Sequence, residues 1–233
     1  MMYETLAHYY DALVKDEDAS MAWVAFIEQH VKKGKVLELA CGSGEITIAL
    51  AKKGYEMHAS DLSAEMIKVA KQKPGADIVE WNVMDMRNMA MQECYDGILC
   101  LCDSFNYLLK NSEVEQLFQD VYDHLKSDGC FVVDMHSMDR LAEFTEEYNE
   151  AGHAYDVDIQ WTIQSEEDRI YQNFAFYYPD GTMDLEQHIQ RVYEPKYILA
   201  ALRQVGFEVS IYTDFIHKGI CEGEKQFYIC RRK

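Results

Sequence analysis

Two glycines that follow a short apolar strand are the first residues whose type and spacing could do chemistry. Gly42 and Gly44 come directly after the predicted strand 35–40 and precede a predicted helix that starts near residue 45. In doubly wound folds, ligands bind at such a turn, where the strand order switches. Glycine allows unusual backbone angles and the close approach of a ligand, and the helix N-terminus offers free amide groups.

The residues around this turn separate two classes of ligand. A dinucleotide fingerprint, G-x-G-x-x-G, needs a third glycine, and Thr47 stands in that position. Glu38 lies inside the strand, two residues before the turn. A pyrophosphate would gain nothing from this carboxylate, whereas the ammonium and sulfonium groups of S-adenosylmethionine would be attracted to it. The turn therefore favours S-adenosylmethionine, and an NAD-dependent oxidoreductase is the alternative.

Two more carboxylates follow the next two predicted strands. Asp61 ends the strand 55–61, where a carboxylate can accept hydrogen bonds from both ribose hydroxyls. Asp85 follows the strand 77–83, where it can accept from an adenine amino group while the amide of Met86 donates to a ring nitrogen. The structural alternatives are a helix-capping aspartate and a turn aspartate.

Five ordered segments then resemble the class I S-adenosylmethionine-dependent methyltransferase family: ELACGSGEIT, SDLSAEMIKVA, VMDMRNM, YDGILCLCDSFNYL and LKSDGCFVVDMHS, over residues 33–137. The resemblance implies an α/β, Rossmann-like fold whose seven-stranded sheet has one antiparallel strand. The segment LAHYYDAL resembles the capping helix of small-molecule enzymes related to the glycine and sarcosine methyltransferases. This likeness implies that Tyr10, or its neighbour Tyr9, closes over the cofactor. We place four further residues in the same cofactor pocket: Ala40, Leu62, Met66 and Cys102.

The acceptor is expected beside the residues that follow the fourth and fifth strands, 95–102 and 130–136. Three polar side chains there are predicted to bind substrate: Asn106, Tyr107 and His136. His136 could serve as a base, although a buried structural histidine is the alternative, and Asp103 could orient an amine or hold the methionine end of the cofactor. These two residues are the catalytic candidates, but none is assigned, because positioning and removal of water supply much of the rate of methyl transfer.

The order of the elements predicts one domain, 1–233. Residues 1–32 form capping helices, and strands then alternate with helices, which indicates parallel β-α-β units. After Ser137 this rhythm gives way to aromatic, alternating runs with a PDG turn, which predict an antiparallel insertion at 139–192, here called the lobe. The aromatic residues of the lobe suit half-buried strands, and a homodimer contact is the alternative use of that surface. His188 and Tyr193 are further pocket candidates.

The composition limits the partners and the location. The net charge of −19 argues against a nucleic-acid partner. Seven cysteines, spread along apolar runs, are typical of reduced thiols in the cytoplasm. We find neither a signal peptide, nor a membrane span, nor the spacing of a metal site. We therefore expect a cytoplasmic methyltransferase that acts on the N or O atom of a small molecule. A sensor that binds S-adenosylmethionine without turnover is the alternative.

Overall fold

A computed structural model describes residues 5–14, 16–89 and 94–233 as an α/β fold with two sheets. Its helices are α1 (Leu6–Val14), α2 (Glu17–His30), α3 (Glu45–Lys52), α4 (Ala64–Lys71), α5 (Asn111–His124), α6 (Met138–Glu143) and α7 (Pro195–Val205). Short 3-10 helices span Ala76–Ile78 and Ser104–Tyr107. The strands are β1 (Lys35–Leu39), β2 (Glu56–Asp61), β3 (Glu80–Val83), β4 (Tyr95–Cys100), β5 (Leu125–His136), β6 (Tyr148–Ala154), β7 (Val157–Glu166), β8 (Arg169–Tyr177), β9 (Met183–Arg191), β10 (Glu208–Thr213), β11 (His217–Lys218) and β12 (Lys225–Arg231). Residues 1–4 of the predicted capping segment lie outside the described residues.

The large sheet has the strand order β11-β10-β12-β5-β4-β1-β2-β3. Strands β1 to β5 run parallel, and β12 is antiparallel to both β5 and β10. The predicted seven-stranded sheet with one antiparallel strand is confirmed for the seven longer strands. The two-residue strand β11 adds a short edge that the sequence did not predict. Because β1 lies between β2 and β4, the switch in strand order falls at the turn that follows β1.

Both faces of this sheet are covered, so its strands are buried on two sides. Val36 packs in one apolar layer with Ile27 of α2, and Leu37 packs in the other with Phe118 of α5. Successive side chains of a strand point to opposite faces, which explains why β1 reads as a continuous apolar run. The turn after β1 is therefore held on a rigid support.

The lobe contains a second, antiparallel sheet in the order β6-β7-β8-β9. Its position between β5 and α7 confirms the predicted insertion after the fifth strand. The insertion opens with the short helix α6 before the first strand of the lobe begins. Helix α1 packs against this sheet, because Leu6 shares an apolar cluster with Phe174 and Phe176. The N-terminal helix therefore spans the lobe and the main sheet.

Local signals at the helix ends fix where the helices begin and stop. Ser63 caps α4, and Pro195 and Gly206 bound α7. Asp16 caps α2, because its side chain accepts the amide hydrogen bond of Ala19 at 3.0 Å. The third strand starts at Glu80 rather than at 77, since a 3-10 turn follows Gly75. Within the part of the chain that the structure describes, no helix has the length and apolar character needed to cross a membrane.

Candidate active site and cofactor cleft

A cleft of about 360 Å³ opens at the carboxyl ends of β1, β2 and β4, beneath α1 and α2. Small-molecule sites in proteins usually have volumes of roughly 300–1,000 Å³. Every residue predicted to contact the cofactor lines this cleft: Tyr10, Glu38, Ala40, Gly42, Gly44, Asp61, Leu62, Met66, Asp85, Met86 and Cys102. Residues from separate parts of the sequence are thus brought to one cavity.

The two glycines of the turn differ in what they face. Both have left-handed backbone angles, with φ of 54° at Gly42 and 77° at Gly44. A Cβ atom added to Gly42 would meet nothing within 4 Å, so that position faces open space in the cleft. A Cβ on Gly44 would lie 2.4 Å from the ring of Trp81. Gly42 therefore leaves room for a ligand, whereas Gly44 also leaves room for the Trp81 ring.

Glu38 places a buried carboxyl group beside this turn. Its side chain is 3% exposed, and Oε2 accepts a 2.5 Å hydrogen bond from the hydroxyl of Thr47. Burial raises the pKa of Glu38 to about 7, although the Thr47 bond acts in the opposite direction. A cationic ligand nearby would favour the ionised form of this group.

Asp61 connects the end of β2 to the turn after β1. Its Oδ2 accepts a hydrogen bond from the Gly42 amide, and its Oδ1 accepts one from the Ser63 amide, both at 2.8 Å. Burial raises the pKa of Asp61, and the backbone hydrogen bonds oppose that rise. Each carboxylate oxygen can accept more than one hydrogen bond, so the group can hold the turn and still receive ribose hydroxyls.

Asp85 has a partner that the sequence analysis missed. The Nε of Arg87 donates to both carboxylate oxygens at 2.9 and 3.0 Å, and its Nη2 donates at 2.6 Å. This hydrogen bonding lowers the pKa of Asp85. The spacing of two residues could have indicated the pair. Because Arg87 already uses this carboxylate, an adenine contact at Asp85 stays a prediction.

A small ion network fastens α1 to the Gly-rich turn. Lys73 Nζ lies 2.6 Å from Asp11 Oδ2 and 2.8 Å from both Ser43 Oγ and Glu45 Oε1. Ser43 also donates a 2.6 Å hydrogen bond to Asp11. The sequence analysis did not assign Lys73 a role, because a lysine beside other lysines is usually solvated. In the fold its side chain is only 14% exposed.

The other end of the cleft, here called the acceptor end, is marked by Asp103, Tyr107 and Lys225. Lys225 Nζ lies 2.6 Å from Asp103 Oδ2 and 3.4 Å from Oδ2 of the fully buried Asp134. Burial disfavours ionisation of Asp103, but Lys225 and His136 outweigh it and lower its pKa. Burial raises the pKa of Asp134 to about 7. Asp103 is therefore the carboxylate that pairs with Lys225.

Two predicted substrate-binding residues lie behind the wall of the cleft. Asn106 is fully buried; its amide nitrogen donates to the carbonyl of Arg191 at 2.7 Å, and its Oδ1 accepts from the His136 amide at 3.0 Å. The ring of His136 lies between Asp103 Oδ1 at 3.4 Å and Gln190 Oε1 at 3.1 Å, and burial lowers its pKa. Neither residue is part of the cleft lining, so contact of Asn106 and His136 with an acceptor stays a prediction. Both side chains instead join β5 and the 3-10 helix after β4 to β9 of the lobe.

Comparisons with known proteins agree with this arrangement. A family profile described as "Methyltransferase domain" matches residues 36–129. YqeM of Bacillus subtilis (strain 168), whose name assigns it to the methyltransferases, is 32% identical over 218 residues, which cover 90% of this chain and 87% of YqeM. The crystal structure of a S-adenosylmethionine-dependent methyltransferase from Clostridium acetobutylicum ATCC 824 superposes with a TM-score of 0.83. That structure is 26% identical, and the match covers 99% of this chain and 98% of the other. The chain belongs to the class I S-adenosylmethionine-dependent methyltransferases.

This methyltransferase is also similar to enzymes whose acceptors are named. The glycine/sarcosine N-methyltransferase of Aphanothece halophytica is 25% identical over 216 residues, which cover 89% of this chain and 78% of the relative. Membership of the family makes the protein an enzyme with S-adenosylmethionine as cofactor and excludes the nicotinamide-dependent alternative. The cleft fits this cofactor, because open space at the Cβ position of Gly42 lies in the same lining as the carboxyl groups of Glu38 and Asp61.

Proposed function

We propose that the methyltransferase transfers a methyl group to the nitrogen of a small-molecule amine. The size of the cleft carries this proposal, because about 360 Å³ admits a small molecule more readily than a folded macromolecule. The lobe supports the acceptor end from behind, since β9 is joined to the segment after β4 by three contacts. These are Asn106 to the Arg191 carbonyl at 2.7 Å, Gln190 Nε2 to the Asp103 carbonyl at 3.2 Å, and Tyr107 to His188 at 3.1 Å.

The charge of the cleft supports an amine as the acceptor. Among the described residues, the lining holds two cations, Arg87 and Lys225, against seven carboxyl side chains, those of Asp11, Asp16, Glu38, Glu45, Asp61, Asp85 and Asp103. An amine enters as an ammonium ion, which this potential attracts. Among similar proteins, one is named a glycine/sarcosine N-methyltransferase and another, of the same fold, is described as the sugar N-methyltransferase KedS8. Transfer to oxygen is the second possibility.

The residues of this chain would act by binding and orienting. When bound, S-adenosylmethionine supplies a methyl group that is already activated on its sulfonium. Asp61 would hold the ribose, Glu38 would lie near the cationic end, and Tyr10 would close the cleft from α1. Leu62, Met66 and Met86 offer apolar surface for the adenine ring, while Ala40 and Cys102 contribute backbone at the strand ends. Asp103 would orient the amine, and the walls of the cleft would keep the two reactants aligned.

Incubation with methyl-tritiated S-adenosylmethionine and a cell metabolite extract tests the proposal, with products identified by mass spectrometry. We expect label in a low-molecular-mass amine that carries one additional methyl group. Label in oxygen-methylated products only would contradict the amine, and label in the RNA or protein fraction would contradict the small molecule. No label in any fraction would favour a sensor without turnover.

Asp61→Ala should reduce the labelling in the same assay. Asp77→Ala is the matched control, because Asp77 is exposed on the 3-10 helix before β3. The absence of nucleic-acid partners, a cytoplasmic location and a homodimer stay predictions of the sequence.

A further inference from the structure

A chain of three polar side chains leads from the acceptor end into the lobe. The hydroxyl of Tyr107 lies 3.1 Å from Nδ1 of His188, and Nε2 of His188 lies 2.9 Å from Oε1 of Glu186. Tyr107 lines the cleft, whereas the His188 side chain is 1% exposed and the Glu186 side chain 8% exposed. A buried tyrosine–histidine–carboxylate series that starts at a reaction cleft has the geometry of a proton relay.

Oε1 of Glu186 lies at an ion-pair distance of 2.9 Å from Nε2 of His188. Because a carboxylate can only accept, this contact favours the tautomer of the neutral imidazole that carries its proton on Nε2. Nδ1 is then the acceptor of the Tyr107 hydroxyl. In this arrangement the phenol oxygen directs its proton away from the acceptor and into the lobe.

Glu186 has a second role that couples this chain to the N-terminal helix. Its Oε2 accepts the amide hydrogen bonds of Thr5 at 3.1 Å and Leu6 at 2.9 Å, at the start of α1. Helix α1 also carries Tyr10 and Asp11, which line the cofactor cleft. The carboxylate that orients His188 is therefore fixed by the same helix that covers the cofactor.

We propose that Tyr107, His188 and Glu186 form the proton relay of methyl transfer, with Tyr107 as the group that meets the acceptor. This inference rests on the proposed function. The bound ammonium ion would first lose one proton to the Tyr107 oxygen while the Tyr107 proton passes to Nδ1 of His188, which leaves the nitrogen with a free lone pair. This nitrogen would then take the methyl group that the bound cofactor supplies, so that a carbon–sulfur bond is exchanged for a carbon–nitrogen bond and the product leaves as a methylated ammonium ion. The carboxylate of Glu186 would stabilise the imidazolium that remains on His188.

The relay assigns the base to a different histidine from His136, which the sequence offered as a candidate base with a buried structural histidine as the alternative. His136 lies behind Asp103, with one ring nitrogen near Asp103 and the other near Gln190. His188 has no contact with the cleft of its own, but its partner Tyr107 does. A tyrosine in the wall thus gives a fully buried histidine access to the acceptor.

Three variants test the relay. Their substrate is the amine that the extract incubation identifies, supplied in its unmethylated form. Tyr107→Phe removes only the hydroxyl, and we expect kcat to fall roughly a hundredfold or more with unchanged affinity for S-adenosylmethionine. Glu186→Gln should give a smaller loss. Tyr177→Phe is the matched control; this hydroxyl lies on the same lobe sheet and donates to Oε1 of Gln160 at 3.3 Å on the exposed surface, so kcat should not change.

A solvent isotope effect separates a relay from a structural role. The relay moves two protons, so kcat of the wild type should fall in heavy water, and Tyr107→Phe should lose this isotope effect. An equal isotope effect in the two enzymes, or a Tyr107→Phe enzyme as fast as the wild type, would overturn the relay while leaving the proposed function intact. Failure of the wild type to methylate any amine would overturn both.

Discussion

Lys225 Nζ lies 2.6 Å from Oδ2 of Asp103 at the acceptor end of the cleft. Replacing Lys225 with methionine leaves Asp103 and the fully buried Asp134 without their cation. Loss of one partner of a buried ion pair costs about 3–5 kcal/mol, and we expect the lower end because Lys225 is 26% exposed. Urea unfolding at pH 8 measures this loss in the free energy of unfolding.

Two further measurements check the cause of that loss. The Lys225→Met deficit should diminish at low pH, because protonation removes the uncompensated negative charges. Lys218→Met, at an exposed lysine of β11, should change the free energy little. A deficit that is equal at pH 5 and pH 8 would contradict the electrostatic explanation.

The ionisation of the buried Glu38 carboxyl group should make the affinity for the cofactor depend on pH. In the free protein burial raises the pKa of Glu38 to about 7, and a bound cation should lower it again. Binding then releases a proton, so affinity for S-adenosylmethionine should increase as the pH rises toward about 7 and level off above it, by at most about tenfold per pH unit. Titration calorimetry between pH 5 and pH 8.5 measures this, and Glu38→Gln should flatten the profile. An unaltered profile in the variant would rule out Glu38 as the source.

The stability of the ligand-free protein should change with pH in the direction opposite to that of cofactor affinity. Because folding raises the pKa of Glu38 above its usual 4.5, its contribution to stability is fully present below that value and is lost as the pH rises through about 7. Glu38→Gln should therefore show a smaller decline in the free energy of unfolding between pH 4.5 and pH 7. Denaturant titrations at several pH values can detect the difference.

Gly42 and Gly44 form a matched pair of test positions, since both have positive φ. Gly42→Ala places its Cβ in the open space of the cleft and should therefore lower cofactor affinity. Its positive φ should also cost about 1–2 kcal/mol of backbone strain in the free energy of unfolding. Gly44→Ala adds a clash with Trp81 and should cost a further 1–3 kcal/mol, roughly, in the free energy of unfolding. Thermal unfolding and calorimetry measure both. Equal stability of the two variants would contradict the assigned role of Gly44.

The ion pairs and hydrogen bonds of Lys73 should hold α1 against the Gly-rich turn. Lys73→Met removes charged hydrogen bonds to Asp11, Ser43 and Glu45, each worth roughly 1–3 kcal/mol. Amide hydrogen exchange in α1 should become at least several-fold faster. Lys71→Met, at an exposed neighbour, is the control. Unchanged exchange in the Lys73 variant would show that apolar packing on the lobe alone holds α1.

The sequence predicted the main sheet and the cofactor cleft well because both depend on local signals. Gly42, Asp61 and Asp85 each follow a strand, and parallel strands bring their carboxyl ends to one edge. The roles of Lys73 and Lys225 were missed, since each acts through partners that are distant along the chain, and nothing in their neighbourhood distinguishes them from solvated lysines. Contact of His136 with the acceptor stays a prediction, and the sequence did not show that its ring lies between Gln190 and Asp103, because both partners are distant along the chain.

Titration calorimetry with S-adenosylmethionine tests most directly whether the pocket between Gly42 and Asp61 holds the cofactor. We predict one site per chain, with Asp61→Ala weakening the binding by roughly 1.5–3 kcal/mol, since charge-assisted hydrogen bonds to the ribose are lost. Asp77→Ala should bind as the wild type does. Wild-type affinity in the Asp61 variant, with the fold intact, would contradict this account of the cofactor site.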